Sequence, residues 1–276
     1  MRLRSLLYVP ADRDRFVAKA HERGADAVIL DLEDAVAEDA KDAARDALSE
    51  AVPCLRQRGA RVLVRVNSGP RQGPDARAAT RAGVEGIVLP KADGPAAVDE
   101  LLAEIPGEDR MPVLAIVEDA AGMMDARAIA AHRAVVAVSL GAEDFATATG
   151  GQPTPEVLRL PKLLVHYAAK AEGKLSLGML RSTVDFTDTE AIADAAAQAA
   201  RFGFDGATCI HPKIVPVLNA AFAPSDAEIE RARRIVAAAE DAAKSGRGAF
   251  MVDDEFVDLP VLNRAKLVLE KAGEAS

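Results

Sequence analysis

Residues 24–36 read GADAVILDLEDAV, and this segment decides the fold. Its central run, AVILDL, is apolar on both faces, which is typical of a parallel strand covered on both sides. A second run of this kind, RVLVRV, occupies residues 61–66, and a helix-periodic stretch lies between the two. This order predicts two parallel strands joined by a right-handed crossover helix.

The same alternation continues from the N-terminus to about residue 223. The predicted strands are Ser5–Val9, Ala27–Leu32, Arg61–Val66, Gly86–Leu89, Val113–Val117, Val135–Leu140, Lys174–Met179 and Gly206–Ile210. Helices are predicted over Arg13–Arg23, Asp39–Ala51, Ala96–Ile105, Met123–His132, Glu156–Ala171 and Thr189–Phe202. Eight strands are enough to close a barrel, so we expect an α/β protein whose residues 1–223 form a TIM (β/α)8 barrel. An open doubly wound sheet is the alternative, but the first strand is not followed by a Gly-rich phosphate fingerprint.

The rhythm changes after Pro224. Residues 224–276 predict a C-terminal helical extension, with one helix over Asp226–Lys244 and a last one from about Leu259 to Lys271. Ser225 is the expected N-cap of the first of these helices, with a Glu at its third position. A tail of this length is expected to pack across a barrel end, or as a lid on a neighbouring subunit.

Composition narrows the class of protein. The net charge of −9 over 276 residues argues against a nucleic-acid partner, which would need a concentrated basic face. Cys54 and Cys209 are too few and too far apart for a disulfide framework or a zinc site, and we expect both to be buried. The sequence shows neither a signal peptide nor a membrane-length apolar run, so we expect a cytoplasmic protein without a membrane partner.

Polar residues follow the predicted strands at their C-terminal ends, where barrel enzymes carry their active sites. They are Asp31, Glu33, Asp34, Arg65, Asn67, Lys91, Glu118, Asp119, Glu143, Asp144 and His211. Any one of them could simply cap the following helix. The clustering of the carboxylates with Arg65 and Lys91 on five strands instead indicates a site, and several carboxylates at one mouth repel each other unless a cation lies among them.

Two carboxylates with waters and substrate oxygens make a typical Mg2+ site. Arg65 suits a substrate carboxylate or enolate oxygen, because guanidinium binds such groups in a bidentate way. Lys91 could form a Schiff base, but a solvated or ion-paired lysine is the favoured interpretation. His211 precedes Pro212 and is interpreted as a packed residue.

Motifs along nearly the whole chain resemble the citrate lyase β-subunit-like branch of the HpcH/HpaI aldolase family, which includes malyl-CoA and citramalyl-CoA lyases. They are RSLLYVPADRDRFVAKA (4–20), GADAVILDLEDAV (24–36), VLVRVN (62–67), GIVLPKA (86–92), VEDAAG (117–122), SLGAEDFATATG (139–150), GFDGATCIHPKIVPVLNAAFAPS (203–225) and GRGAFMVDDEFVDLPV (246–261). Each motif alone is modest evidence for this resemblance, but the order and spacing of all the motifs together are specific to the family.

The resemblance implies a TIM barrel, dependence on Mg2+ and an acyl-CoA substrate. It assigns the metal to Glu118 and Asp144, and the substrate carboxylate to Arg65. It also gives the Glu33-Asp34 pair a part in ordering metal-bound water, and Arg13 and Lys19 a part in holding CoA phosphates. Asp258 matches an acid/base residue that enters the neighbouring subunit's site, which implies a homotrimer or a hexamer.

The chain departs from many relatives at Asp119, at Ala121 and around Gly178–Leu180. Because of these changes, the resemblance does not identify the acyl group of the substrate. The expected reaction is a Claisen-type cleavage or formation of a 3-hydroxyacyl-CoA such as malyl-CoA or citramalyl-CoA. Citryl-CoA cleavage, or a malate-synthase-like or thioesterase-like reaction, is the alternative within the enzyme class. A non-catalytic CoA-binding barrel is the alternative outside it, and for Asp258 the alternative is a purely capping role.

Overall fold

The structure is a computed structural model that describes residues 3–105, 107, 111–184, 186–244 and 249–274. The chain divides into two compact units, residues 3–222 and residues 223–276. Within the described ranges no helix combines the length and the apolar composition needed to cross a bilayer.

The first unit is built on eight parallel strands. They are β1 (Ser5–Pro10), β2 (Ala27–Asp31), β3 (Val62–Arg65), β4 (Gly86–Leu89), β5 (Val113–Val117), β6 (Val135–Leu140), β7 (Leu175–Leu177) and β8 (Ala207–Cys209). Their order is β7-β6-β5-β4-β3-β2-β1-β8, and a parallel bridge between Leu177 and Gly206 links the two ends of this order. The predicted TIM barrel is therefore confirmed, and every predicted strand is present.

Side chains alternate between two layers along each strand. One buried cluster takes Leu6, Ile29 and Leu63 from successive strands, and residues of β4 to β7 complete it. The neighbouring positions, such as Leu7 and Leu30, belong to a larger cluster shared with the helices. The first cluster fills the barrel and the second joins the barrel to its helices, as expected for strands buried on both faces.

The helices follow the strands in turn. They are α1 (Asp14–Val17), α2 (Lys41–Gln57), α3 (Gln72–Ala82), α4 (Pro95–Ala103), α5 (Ala120–Met124), α6 (Ala126–Ala131), α7 (Ala142–Thr149), α8 (Pro155–Ala171), α9 (Thr189–Phe202), α10 (Val215–Ala221), α11 (Asp226–Lys244) and α12 (Leu259–Ala272). Short 3-10 turns at Ala20–Arg23 and Glu38–Ala40 complete the first two predicted helical stretches.

Three helices were not among the predicted ones. These are α3, α7 and α10, and each is short or polar enough to hide its periodicity. The α3 segment reads QGPDARAATRA, so that Gly73 and Pro74 stand in its first turn. The prediction that Cys54 is buried is wrong, because it is exposed on α2. The buried stripe of that helix contains Ala44, Leu48, Val52 and Leu55, and Cys54 falls off this face.

The second unit contains α11, a two-stranded hairpin and α12. Ser225 Oγ accepts from the Glu228 N–H at 3.3 Å and the Glu228 carboxylate accepts from the Ser225 N–H at 2.8 Å, so the predicted capping arrangement is confirmed. Strands β9 (Phe250–Val252) and β10 (Glu255–Val257) pair antiparallel. Asp253 and Asp254 connect them with φ angles of 48° and 62°, which is the conformation of a type I′ hairpin turn.

Candidate active site

A cavity of about 460 Å3 opens at the C-terminal ends of the barrel strands. Residues from the ends of β1, β2, β3, β5 and β6 line it, together with the segments that follow β7 and β8. Asp31, Asp34, Arg65, Glu118 and Asp144 all contribute to its wall. The barrel thus brings together the polar residues that the sequence places at strand ends.

Arg65 is the central cation of this cavity. Its Nε donates to Oδ1 of Asp31 at 2.7 Å and its Nη2 donates to Oδ2 of the same carboxylate at 2.6 Å. Its Nη1 donates to Asp34 at 3.0 Å and lies 2.8 Å from Oε2 of Glu33 without hydrogen-bond geometry. The guanidinium also lies 5.0 Å from the ring centroid of Tyr8. Arg65 is therefore fixed in orientation by the protein before any substrate binds.

Asp31 positions both Arg65 and the loop that follows β2. Its carboxylate is buried and accepts from the Glu33 N–H at 3.0 Å and the Ala35 N–H at 3.3 Å. From α2, Lys41 Nζ donates to the carbonyl oxygen of Leu32 at 3.3 Å and to that of Glu33 at 2.9 Å. These contacts hold the Glu33 side chain beside Arg65.

Lys91 links two of the carboxylates. Its Nζ donates to Oε1 of Glu33 at 3.1 Å, and its backbone N–H donates to Oε2 of Glu118 at 2.9 Å. Lys91 has a φ of 52°, a strained conformation for a residue other than glycine, and strain of this kind concentrates at functional sites. Burial lowers the pKa of Lys91, but the hydrogen bond to Glu33 and the negative charges of Glu33, Glu118 and Asp34 together raise it above its usual value. The ion-paired interpretation is confirmed, and a protonated lysine does not form a Schiff base.

The carboxyl group of Glu118 has a strongly raised pKa. Burial, together with the negative charges of Glu33 and Asp144, raises the pKa of its carboxyl to about 7. Burial likewise raises the pKa of Glu33 above its usual value. A divalent cation among these carboxylates would relieve their repulsion, and carboxylate oxygens are the ligands that Mg2+ prefers. The donor set of Glu118 and Asp144 therefore fits Mg2+.

Gly141 leaves the space that the Glu118 carboxylate occupies. A Cβ at this position would lie 2.7 Å from Cγ and 2.8 Å from Oε1 of Glu118. The backbone of Gly141 is extended, with φ −74° and ψ 110°, so its conformation does not require glycine. Glycine is required here for lack of space. The Lys91 N–H holds the Glu118 carboxylate by a hydrogen bond, so the carboxylate cannot easily move away from an added Cβ.

We expect Gly141→Ala to displace Glu118 and to weaken Mg2+ binding and activity by about 10- to 100-fold, the usual effect of disturbing the support of a metal ligand. Calorimetric titration with Mg2+ measures this directly. Gly151→Ala is the matched control, because the nearest contact of its added Cβ would be an ordinary 3.5 Å to Val157. Equal Mg2+ affinity in the two variants would contradict the spatial role of Gly141.

Several predicted site residues lie elsewhere. Arg13 and Lys19 are exposed on either side of α1, and neither lines the cavity. Asp119 accepts from the Gly122 N–H at 2.7 Å as the N-cap of α5, and Ala121 is exposed. Asp258 belongs to the second unit, where its carboxylate accepts from the Val261 N–H at 3.2 Å as the N-cap of α12.

His211 and the segment after β7 lie at the last two strand ends of the barrel. His211 stacks on Phe186 with ring centroids 4.7 Å apart, and its Nδ1 accepts from the Lys213 N–H at 3.2 Å. This agrees with a packed residue. Gly178 and Met179 line the cavity, so the departure around Gly178–Leu180 lies in its wall.

Residues that the strand-end argument missed also line the cavity. Tyr8 comes from inside β1, and burial raises the pKa of its phenol above the usual value. Lys162 comes from a helix. Its sequence signal is its position on the α8 stripe with Leu158, Val165 and Ala169, where an apolar residue would be expected.

Comparison with known proteins gives one consistent result. The family model described as HpcH/HpaI aldolase/citrate lyase matches residues 4–212. A citrate lyase subunit beta-like protein of Mycobacterium tuberculosis is 38% identical, over 98% of this chain and 96% of its own length. A (3S)-malyl-CoA thioesterase of Cereibacter sphaeroides is 35% identical, over 98% of this chain and 94% of its own length.

A solved structure is similar across its whole length. It is the crystal structure of CitE from Mycobacterium tuberculosis in complex with magnesium, acetoacetate and coenzyme A. Its TM-score is 0.80 at 37% identity, and the match covers 98% of each chain.

Proposed function

The chain belongs to the HpcH/HpaI aldolase/citrate lyase family and is a Mg2+-dependent lyase of CoA thioesters, and we propose that it cleaves the C2–C3 bond of a 3-hydroxyacyl-CoA such as malyl-CoA or citramalyl-CoA. The observation that carries this proposal is the cavity itself. It places an oriented guanidinium, Arg65, beside the Glu118–Asp144 carboxylate pair. A 2-oxo acid unit with its carboxylate and neighbouring oxygen matches that combination of charges.

Glu118 and Asp144 are the residues that would hold the ion. When bound there, Mg2+ supplies Lewis-acid polarisation of the substrate oxygens. Arg65 binds the carboxylate of the hydroxyacyl group and is kept in place by Asp31. Glu33 and Lys91 hold the loops on either side, and Arg13 and Lys19 are proposed to meet the phosphates of CoA. Their exposure is compatible with a ligand that extends out of the cavity.

The reaction needs no oxidant or co-substrate. A base takes the proton of the C3 hydroxyl, and the O–H electron pair becomes the new C3=O bond. The C2–C3 pair passes to C2 and is delocalised onto the thioester oxygen as an enolate. A proton then returns to C2. Malyl-CoA would give glyoxylate and acetyl-CoA, and citramalyl-CoA would give pyruvate and acetyl-CoA.

We propose that Asp258 of the partner subunit carries this proton, within a homotrimer or a hexamer. The surface of α8 supports self-association, because Val157, Leu160, Leu164 and Tyr167 are 43%, 66%, 44% and 54% exposed at helical spacing. Contiguous exposed apolar side chains of this kind mark interaction sites. The capping bond to Val261 does not conflict with catalysis, because a carboxylate has a second oxygen free to act.

A subunit-mixing experiment separates the two roles of Asp258. Asp258→Ala and Arg65→Ala subunits, each inactive alone, should regain part of their activity when they are co-assembled, since some sites then receive Arg65 and Asp258 from different chains. If Asp258 serves only as the cap of α12, its loss lowers the thermal midpoint without this complementation. Absence of recovery in demonstrably mixed oligomers would exclude action across an interface.

Thioester hydrolysis is the second candidate. The relative named (3S)-malyl-CoA thioesterase favours it, and the citrate lyase β subunit of Haemophilus influenzae, 31% identical, favours citryl-CoA as a substrate. Hydrolysis of malyl-CoA would yield malate and free CoA instead of glyoxylate and acetyl-CoA. The products therefore distinguish the candidates without further assumptions.

The test is a panel of 3-hydroxyacyl-CoA esters incubated with the purified chain and Mg2+, with products identified by mass spectrometry. We expect an oxo acid and a shortened acyl-CoA from at least one ester. If no ester of the panel reacts, the non-catalytic CoA-binding barrel is favoured.

We also propose a cytoplasmic location. The two cysteines are both free, which fits a reducing compartment.

A further inference from the structure

Lys162 is a buried cation in a position that normally takes an apolar side chain. It lies on the inner stripe of α8 between Leu158 and Val165, and only 5% of the residue is exposed. It also lines the cavity described above. A lysine on such a face usually extends its ammonium group to bulk water, whereas this one reaches the substrate cavity.

The ammonium group of Lys162 has no hydrogen bond or ion pair to any residue in the described part of the chain. Burial lowers its pKa to about 8, and among the described residues the charge of Glu143 opposes this. Glu143 is itself hydrogen-bonded to Ser182. A cation on a buried side chain that lines the cavity would be stabilised by a ligand oxygen carrying negative charge.

Lys162 and Arg65 enter the cavity from different elements. Arg65 ends β3, whereas Lys162 comes from α8, and both line the same cavity. The cavity therefore has two cationic positions. One is a guanidinium already bound by protein carboxylates, and the other is an ammonium group without such a bond.

From this division we infer that Lys162 binds the thioester carbonyl oxygen of the acyl-CoA and stabilises the enolate that forms on it. The inference rests on the proposed function. In malyl-CoA or citramalyl-CoA the carboxylate and the C3 oxygen are assigned to Arg65 and the Glu118–Asp144 side. The thioester oxygen is then the acyl oxygen that remains without a partner.

The charge on this oxygen changes during the reaction. As the C2–C3 bond breaks, its electron pair is delocalised onto the thioester oxygen, and protonation of C2 later removes the charge. A fixed ammonium group stabilises such a developing oxyanion far more than the neutral ester that precedes it. Lys162 donates a hydrogen bond and exchanges no proton in this role.

The experiment compares Lys162→Met and Lys162→Gln with the control Lys170→Met. Lys170 lies two turns along the same helix and pairs with Asp205 on the surface. We expect Lys162→Met to lower kcat by about 10^2- to 10^3-fold with little change in KM, as loss of one oxyanion donor does. Lys162→Gln keeps a neutral donor and should lose less, and Lys170→Met should retain full activity.

Two further readouts separate the outcomes. Exchange of the acetyl-CoA methyl protons with D2O, which reports the enolate without C–C cleavage, should fall in Lys162→Met by a similar factor. Its thermal midpoint should be unchanged or higher, because an unpaired buried charge is removed. A lowered midpoint with unaltered kcat per folded molecule would show a structural role and overturn the inference.

The choice of substrate completes the test. If Lys162→Met loses activity only toward citryl-CoA, which carries an additional carboxylate, the lysine binds that carboxylate and the thioester assignment is wrong. Wild-type turnover of the ester panel with an unaffected Lys162→Met variant would reject this inference alone. A wild-type enzyme that neither cleaves nor exchanges would reject the proposed function itself.

Discussion

Replacing Glu118 or Asp144 by Ala should reduce turnover by about 10^3-fold or more, because a metal acting as a Lewis acid contributes several kcal/mol to transition-state stabilisation. Folding should be retained, since Glu118 loses a carboxylate that burial and its neighbours already disfavour in the charged form. Steady-state assays with saturating Mg2+ measure the loss, and titration calorimetry measures the metal affinity.

The control for this pair is Glu190→Ala. Glu190 is an exposed carboxylate in the first turn of α9, as Asp144 is in the first turn of α7, and it lies outside the cavity. It should keep normal kinetics. Near-normal activity of either ligand variant after treatment with a chelator would show that the metal is assigned to the wrong residues.

The Glu118 carboxylate should set the pH dependence of metal binding. The pKa of Glu118 is about 7 without metal, so below that pH a proton competes with Mg2+ for its oxygens. The apparent affinity for Mg2+ should fall by about tenfold for each pH unit below this point. In Glu118→Gln this dependence should disappear together with most of the affinity.

Arg65→Lys should lower kcat/KM by about 10- to 100-fold, the equivalent of one or two charge-assisted hydrogen bonds. Lysine keeps the charge but cannot bind Asp31 with two parallel N–H groups and present a further N–H to substrate. We expect KM to rise and kcat to fall together. The thermal midpoint should also drop, because the buried Asp31 carboxylate loses part of its hydrogen bonding.

Arg61→Lys provides the comparison within the same region. Arg61 precedes β3 at its opposite end and pairs with Glu85, away from the cavity. This variant should leave kinetics unchanged. Unchanged kinetics in Arg65→Lys as well would remove the carboxylate-binding role of Arg65.

The barrel could be predicted from the sequence because its strands are buried on both faces. All five residues of β2 and of β5 are buried, which produces the continuous apolar runs that periodicity detects. The predicted seventh strand ran to Met179, whereas β7 ends at Leu177. Gly178 leaves the strand with a φ of 150°, and such a departure has no signature in an apolar pattern.

The candidate site was predictable where one topological rule applies. Arg65, Glu118 and Asp144 meet at the cavity because the carboxyl ends of barrel strands point to one face. Gly141 and Lys41 were not predictable, since their parts depend on distances between separate elements. Lys162 was not predictable either, because a lysine on a helix indicates a site only when it is known to be buried.

The proposed function requires a magnesium-dependent C–C cleavage in this cavity. The most direct measurement is product identification by mass spectrometry from malyl-CoA and citramalyl-CoA with Mg2+, after chelation, and after Mg2+ is restored. We expect acetyl-CoA together with glyoxylate or pyruvate in the first and third conditions, and unchanged ester in the second. Free CoA with the intact hydroxy acid, or cleavage that persists under chelation, would contradict it.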